Sequence, residues 1–465
     1  MIELLKLSIS EVSQLIKKRK ISPVEIVEAC LSQVEKTDAK LFAYITLFEE
    51  ESLQTAKKME EKFSCDNQLG DLFGIPITLK DNISVKNTKT TAGSRILSDW
   101  RPNKDALIVK RLKAAGAIIL GKTNLHEFAW GATSENDIYG TVKNPWDQTR
   151  IAGGSSGGSA AAVSAMTCYG SIGTDTGGSI RLPASLCGLV GLRPTYEFIN
   201  NDGIVPLAFS MDTSGPITRT VKDCEMIFKV MAFGEKTRNN LFYQHETMGN
   251  SLDNVRIGII ENYFGYAGTN VLQQMDETIY TFKKLGAKIS KVKSKNIHYL
   301  KRVKEIIQFY EASSFHKQWI DIHENDYGPD VRDRLLKGLK ISTIDYIEAK
   351  QKRILIKEEI EKIFKEVDII ICPTVPFTAP KIGKKETANE NGTIVEMTST
   401  ISYFTSLASI TGMPALTLPC GFDENQLPIG VQLIGRPHSE MSLLKIGEIF
   451  QRNTDFHLKY PQIIN

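Results

Sequence analysis

Long apolar runs are missing from this 465-residue chain. Ala114–Leu120 is among the longest, far short of the roughly 20 residues that span a bilayer, so no membrane partner is expected. Excess charge of one sign is missing too. Lys and Arg total 57 against 54 Asp and Glu, a net +3, and direct nucleic-acid binding through counterion release needs a more basic surface. The seven cysteines (Cys30, Cys65, Cys168, Cys187, Cys224, Cys372 and Cys420) are scattered, with no C-x-x-C pair. An odd, unpatterned set suits a reducing compartment where thiols pack as small apolar groups. The seven histidines show neither H-E-x-x-H nor H-x-x-x-H spacing, so neither a metal site nor a cofactor is expected. The opening MIELLKLSISEVSQLIKKRK is broken by Lys6, Ser8, Ser10 and Glu11 and lacks the small-residue cleavage site of a secretion signal. A cytoplasmic location is the expectation.

What is present is α/β texture. The length allows two or three domains, or one continuous α/β core. Ser22-Pro23-Val24-Glu25 is a capping box with Pro at the first helical position, and Ile26, Val27, Cys30, Leu31 and Val34 follow at helical spacing. Residues 1–65 are therefore predicted as a helical region. From Gly70 to about Pro194, short apolar runs and glycines take over. Gly74–Lys80 is predicted as a strand ending in lysine, Ala106–Gly116 as a helix and Ala117–Leu120 as a strand, which implies parallel pairing. Val255–Ile260, Asn270–Leu285 and Ala287–Val292 repeat that texture. Charged helices fill 300–366, clearest over Tyr346–Phe364, and Asp368–Cys372 is a buried strand. The polar stretch Ala379–Glu396 is predicted as a surface loop. Pro414–Gly421 and Gly430–Gly435 are strands, followed by a helix near Met441–Arg452.

Two glycine-serine segments carry the chemical information, Gly153-Gly-Ser-Ser-Gly-Gly-Ser159 and Thr174-Asp-Thr-Gly-Gly-Ser-Ile-Arg181. A serine among glycines exposes its hydroxyl, and its neighbouring N–H groups can converge on one point, as stabilising an oxyanion requires. A phosphate-binding P-loop needs a terminal G-K-[ST], which is absent. Gly153–Gly157 matches G-x-S-x-G, but a nucleophile elbow follows a buried strand, which Asn144–Arg150 is not suited to form. It also needs a histidine, and His438 and His457 sit in polar contexts. A flexible linker stays open, although the helix-forming run Ala160–Val163 anchors the loop. Without histidine a serine nucleophile needs another base, and a lysine serves if burial holds it neutral. Lys80 ends an apolar run and is the best candidate, while a lysine snorkelling to water from a strand end has the same pattern.

Taken in order, Gly74-Ile-Pro-Ile-Thr-Leu-Lys-Asp-Asn82, Gly153–Ser159, Gly173–Arg181 and Gly188-Leu-Val-Gly-Leu-Arg-Pro-Thr195 resemble the amidase-signature family. The likeness runs from the N-terminal helices to about residue 452, through Gly412-Met-Pro-Ala415 and Leu427–Arg436. It implies an α/β fold, a single amidase-signature domain with a large mixed twisted sheet covered by helices on both sides. Residues 1–65 would pack on a catalytic unit of 66–465. It further implies an amidohydrolase of linear amides, with Ser179 as nucleophile, Ser155 as the bridging serine after a cis peptide, and Lys80 as base. The separation from Ser179 selects Ser155 rather than Ser156. By the same resemblance the N–H groups of Thr176, Gly177, Gly178 and Ser179 form the oxyanion hole, while Ser156, Asp175 and Arg181 orient the loop without reacting. A lysine at its usual pKa of about 10.4 is protonated at neutral pH, and apolar Ile75, Ile77 and Leu79 would lower that value.

Within the family the resemblance divides between free-standing amidases and the glutaminase component of a tRNA-dependent amidotransferase, which supplies ammonia to partner subunits. His126 stands where the glutaminase usually has aspartate. Residues 399–409 hold no carboxylate to neutralise the ammonium of glutamine, and Glu311–Val331 looks more like general amidases. A free-standing enzyme acting on a small-molecule amide is therefore expected, with partner subunits only under the glutaminase reading and a homodimer as the default assembly. Phe128, Trp130, Ile138 and Tyr139 are either pocket lining or core.

Overall fold

The structure, a computed structural model, describes residues 2–63, 69–234, 251–388 and 394–464. Its strands are β1 (Tyr44–Leu47), β2 (Pro76–Lys80), β3 (Ile118–Thr123), β4 (Lys143–Asn144), β5 (Asp147–Ile151), β6 (Gly170–Asp175), β7 (Val190–Arg193) and β8 (Thr213–Thr218). They continue with β9 (Arg256–Ile260), β10 (Lys288–Val292), β11 (Ile369–Pro373), β12 (Glu386–Ala388), β13 (Ile394–Glu396), β14 (Ala415–Phe422) and β15 (Pro428–Gly435). Eleven form one sheet in the order β1-β3-β2-β6-β8-β7-β14-β15-β11-β9-β10, while β4–β5 and β12–β13 are separate ribbons.

The expected parallel pairs form. β2 and β3 pair in parallel across the helix Leu107–Ala114, and β9 and β10 across Thr269–Lys284. The neighbours β6–β8, β7–β8, β7–β14, β14–β15 and β11–β15 are antiparallel, so the sheet is mixed and the fold is α/β. β2 and β6 are buried along their whole length, as strands covered on both faces must be.

The helix Pro23–Leu41 starts at Ser22 with both halves of the capping box formed to Glu25. Leu5, Ile9 and Val27 share one apolar cluster with Ile77, Ile172 and Ile434 of the sheet. The division drawn at residue 65 lies outside the described residues, as does Cys65. The other six cysteines are free and buried. Among the described residues no helix is long and apolar enough to cross a membrane.

One expectation needs correction. Part of the loop predicted over 379–396 is the β12–β13 ribbon; residues 389–393 between its strands lie outside the described residues. Ahead of the first glycine-serine loop, Asp147–Ile151 forms a strand that is half-exposed along most of its length, so no buried strand leads into that loop, as expected. It pairs with β4 and, through Arg150, bridges Lys381, outside the main sheet.

The site follows from the pairing of β2 with β6. They run parallel with Leu79 opposite Ile172, so Lys80 and Thr174–Asp175 emerge together at the carboxyl ends of adjacent strands, where open α/β sheets bind ligands. The helices Gly157–Ser164 and Arg181–Leu186 begin directly after the two loops.

Candidate active site

Lys80 is fully buried at the end of β2. Its Nζ lies 2.6 Å from Ser155 Oγ and 2.9 Å from Thr174 Oγ1, and Asn82 Nδ2 donates to that threonine oxygen at 3.2 Å. Burial lowers the Lys80 ammonium to about 7, against the upward pull of the Asp175 and Asp212 carboxylates. A large share of the molecules therefore carries an uncharged amine at neutral pH. A second buried lysine, Lys122, is instead matched by the Asp81 carboxylate at 2.7 Å.

The Gly154–Ser155 peptide is cis. The Ser156 N–H donates to Ser179 O at 3.2 Å, which joins the two glycine-serine loops. Ser156 Oγ donates to Thr174 O at 3.2 Å, so Ser156 fixes the strand end that also contacts Lys80. Ser155 is fully buried, whereas Ser179 keeps 8% exposure and opens onto a cavity of about 470 Å³. Of Lys80, Ser155 and Ser179, Ser179 is the one that lines this cavity.

Asp175 and Arg181 do form a pair, and it is wholly buried. Arg181 Nε and Nη2 donate to the two carboxylate oxygens at 3.0 and 2.9 Å. The same guanidinium reaches Thr405 O and Gln432 Oε1, both at 3.0 Å, and Ser409 Oγ at 2.9 Å. A second arginine that sequence reasoning misses, Arg193, donates to Asp175 Oδ1 at 2.8 Å. Burial alone would raise the Asp175 carboxyl, but the two guanidiniums override it and hold it well below the usual range. Arg193 lies in the Gly188–Thr195 motif, so a signal for it was present in the chain.

The oxyanion assignment narrows. The Gly178 N–H donates to Asp175 Oδ1 at 3.0 Å, so it is already engaged. Of the four N–H groups expected to form the oxyanion hole, those of Thr176, Gly177 and Ser179 have no such bond to the Asp175 carboxylate. Gly178 has φ +128°, and a Cβ there would sit 2.3 Å from Thr405 Oγ1, whose hydroxyl donates to Gly177 O at 2.6 Å. Gly178→Ala is expected to destabilise the fold by about 1–3 kcal/mol and to cut kcat by about 100-fold. Gly177→Ala, where the nearest contacts are 3.6 Å away, is expected to keep the wild-type melting temperature. Thermal melts and initial rates of both variants check this.

The cavity wall comes from far along the chain. Trp130 lines it together with Lys304 and Arg334 of the helices Leu300–His323 and Pro329–Gly338. Phe128 packs away in a satellite cluster with Tyr327 and Val331, and Ile138 and Tyr139 are not among the lining residues. His126 Nε2 meets Asp330 Oδ2 at 2.8 Å, and the Gly328 N–H donates to Glu127 Oε2 at 2.7 Å. Those contacts tie the wall to the segment before the first loop. Among the described residues no group of three or more His, Cys, Asp or Glu side chains is placed to hold a metal ion.

The sequence profile of the Amidase family matches residues 25–444. The chain belongs to the amidase family. It is an amidase-signature hydrolase acting on amide bonds. It is 35% identical to the A subunit of Glutamyl-tRNA(Gln) amidotransferase from Carboxydothermus hydrogenoformans, over 99% of this chain and 100% of that protein. A crystal structure of an amidase superposes with a TM-score of 0.89 at 30% identity, covering 96% of this chain and 100% of that one. The corresponding Glutamyl-tRNA(Gln) amidotransferase chain of Thermotoga maritima gives a TM-score of 0.81 at 31% identity, over 99% and 98% of the two chains. The amidase-family motifs of the sequence thus coincide with the buried lysine and the two joined loops.

Proposed function

We propose that the chain is a free-standing amidase that hydrolyses a carboxylic-acid amide to acid plus ammonia or amine through an acyl-enzyme on Ser179. The observation that carries this reading is the 2.6 Å contact between Ser155 and a buried Lys80 that has no ion-pair partner among the described residues, beside a loop bonded to that of Ser179. Neutral Lys80 takes the Ser155 proton while the Ser155 oxygen takes that of Ser179, and Ser179 Oγ attacks the amide carbonyl. The N–H groups of Thr176, Gly177 and Ser179 hold the oxyanion. The proton returns through Ser155 to the leaving nitrogen, and water repeats the cycle on the ester. Ser156, Asp175 and Arg181 hold the loops in register.

Two features support independence from partner subunits: residues 399–409 offer no carboxylate for an amino-acid ammonium, and His126 is matched to Asp330. The full-length identity to the amidotransferase chain of Carboxydothermus hydrogenoformans favours a second reading, a glutaminase feeding ammonia to a partner. An ammonia-release screen of aliphatic, aryl and amino-acid amides, glutamine and esters on the isolated chain separates them. The expected result is turnover of at least one simple amide, lost in Ser179→Ala, with a mass-detected acyl adduct on Ser179. Turnover of glutamine alone, and only after adding amidotransferase partner subunits, overturns the free-standing reading.

A further inference from the structure

The cavity at Ser179 has a charged wall that the proton relay does not use. One helix presents Arg302, Lys304 and Glu305 to it, the next adds Arg334 and Lys337, and Glu396 also lines it. Arg334 is matched by Asp330 at 3.2 Å. Lys304 is different. Its residue is 7% exposed, its Nζ donates to Ser402 Oγ, and no carboxylate forms an ion pair with it among the described residues. Its stem runs beside the oxyanion loop: a methyl added to Gly177 would lie 3.6 Å from Lys304 Cδ.

A buried ammonium whose hydrogen bond goes to a neutral hydroxyl is costly, and an anion bound in the cavity offsets that cost. Burial lowers Lys304 to about 8, so it stays mostly charged at neutral pH. Glu305 offsets part of the positive field, to which Lys301 and Arg181 add. One ammonium with one serine hydroxyl suits a singly charged, planar group better than a doubly charged phosphate. The acyl part of the substrate stays on Ser179 through both half-reactions, so a fixed cation beside that loop holds it throughout.

We propose that Lys304 sets the specificity of the acyl pocket, and that the substrate is a small amide whose acyl group carries a carboxylate, of the class of dicarboxylic-acid monoamides. This rests on the amidase reading above. The test compares succinamate with butanamide and glutaramate with pentanamide, by kcat/KM, in the wild type and in Lys304→Met and Lys304→Gln, with melts to show that the variants fold. In parallel, calorimetry measures the binding of glutarate, which needs no chemistry. The wild type is expected to prefer the carboxylate-bearing partner of each pair at least tenfold. Both variants are expected to lower that ratio about 10–100-fold and to weaken glutarate to a similar degree. Equal or better turnover of the neutral amides overturns the assignment while leaving the amidase reading intact. If no amide is hydrolysed, the amidase reading fails and glutarate decides the site: binding lost in Lys304→Met supports the anion site, and absence of binding to the wild type overturns it.

Discussion

Lys80→Met is expected to reduce kcat by about 10³-fold or more while the protein still folds. Methionine fills nearly the same volume at the end of β2 but offers no proton acceptor, and loss of one member of such a relay removes most of the benefit of the whole set. Removing an amine that is fully buried also relieves a desolvation cost, so the melting temperature should hold or rise. Wild-type kcat/KM should increase with pH up to about 7, as the Lys80 ammonium loses its proton, and then level off. The stability effect has a defined sign. The unfolded lysine titrates near 10.4 and the folded one near 7, so between those values the unfolded chain binds the extra proton and stability rises with pH. Lys80→Met should lack that slope. Near-native turnover of the variant at pH 7 would sink the relay.

The largest loss of stability is expected from Asp175→Ala. It strands two fully buried guanidiniums, Arg181 and Arg193, and breaking a buried pair from one side costs about 3–5 kcal/mol. It also frees the Gly178 and Ile180 N–H groups that the carboxylate accepts at 3.0 and 3.2 Å, so kcat should fall as well. The carboxyl is held below its usual value. Its contribution is therefore complete above about pH 4 and drains away as pH falls below that. Urea unfolding of wild type and variant at pH 7 and pH 3 checks both points: the gap should be large at the first and smaller at the second. A gap under about 1 kcal/mol at pH 7 would contradict the assignment.

The candidate centre was legible in the sequence and its surroundings were obscure, for a physical reason. Lys80 and the two loops are local signals: an apolar run that stops at a cation, and serines set among glycines. The helix at Pro23 is equally legible, because a capping box acts within one turn. Arg181 meets Thr405 and Gln432, and His126 meets Asp330, across separations at which no periodicity operates. Lys304 is one of three lysines on its helix, and only packing distinguishes the buried one. The Gly178 N–H looks free in the sequence because nothing in a string of residues shows that a carboxylate three positions earlier turns back onto it. The short strand before the first loop escapes detection because a two-stranded ribbon at the surface needs no apolar alternation.

The residues proposed to break the bond and most of the pocket wall reside on separate stretches of polypeptide, clasped by His126–Asp330 and Glu127–Gly328. Mutations confined to the wall can therefore redirect which molecules are accepted without retuning the reactive amine. Descendants of such a scaffold would diverge in diet long before they diverge in chemistry, and directed libraries aimed at new nutrients belong on the two wall helices.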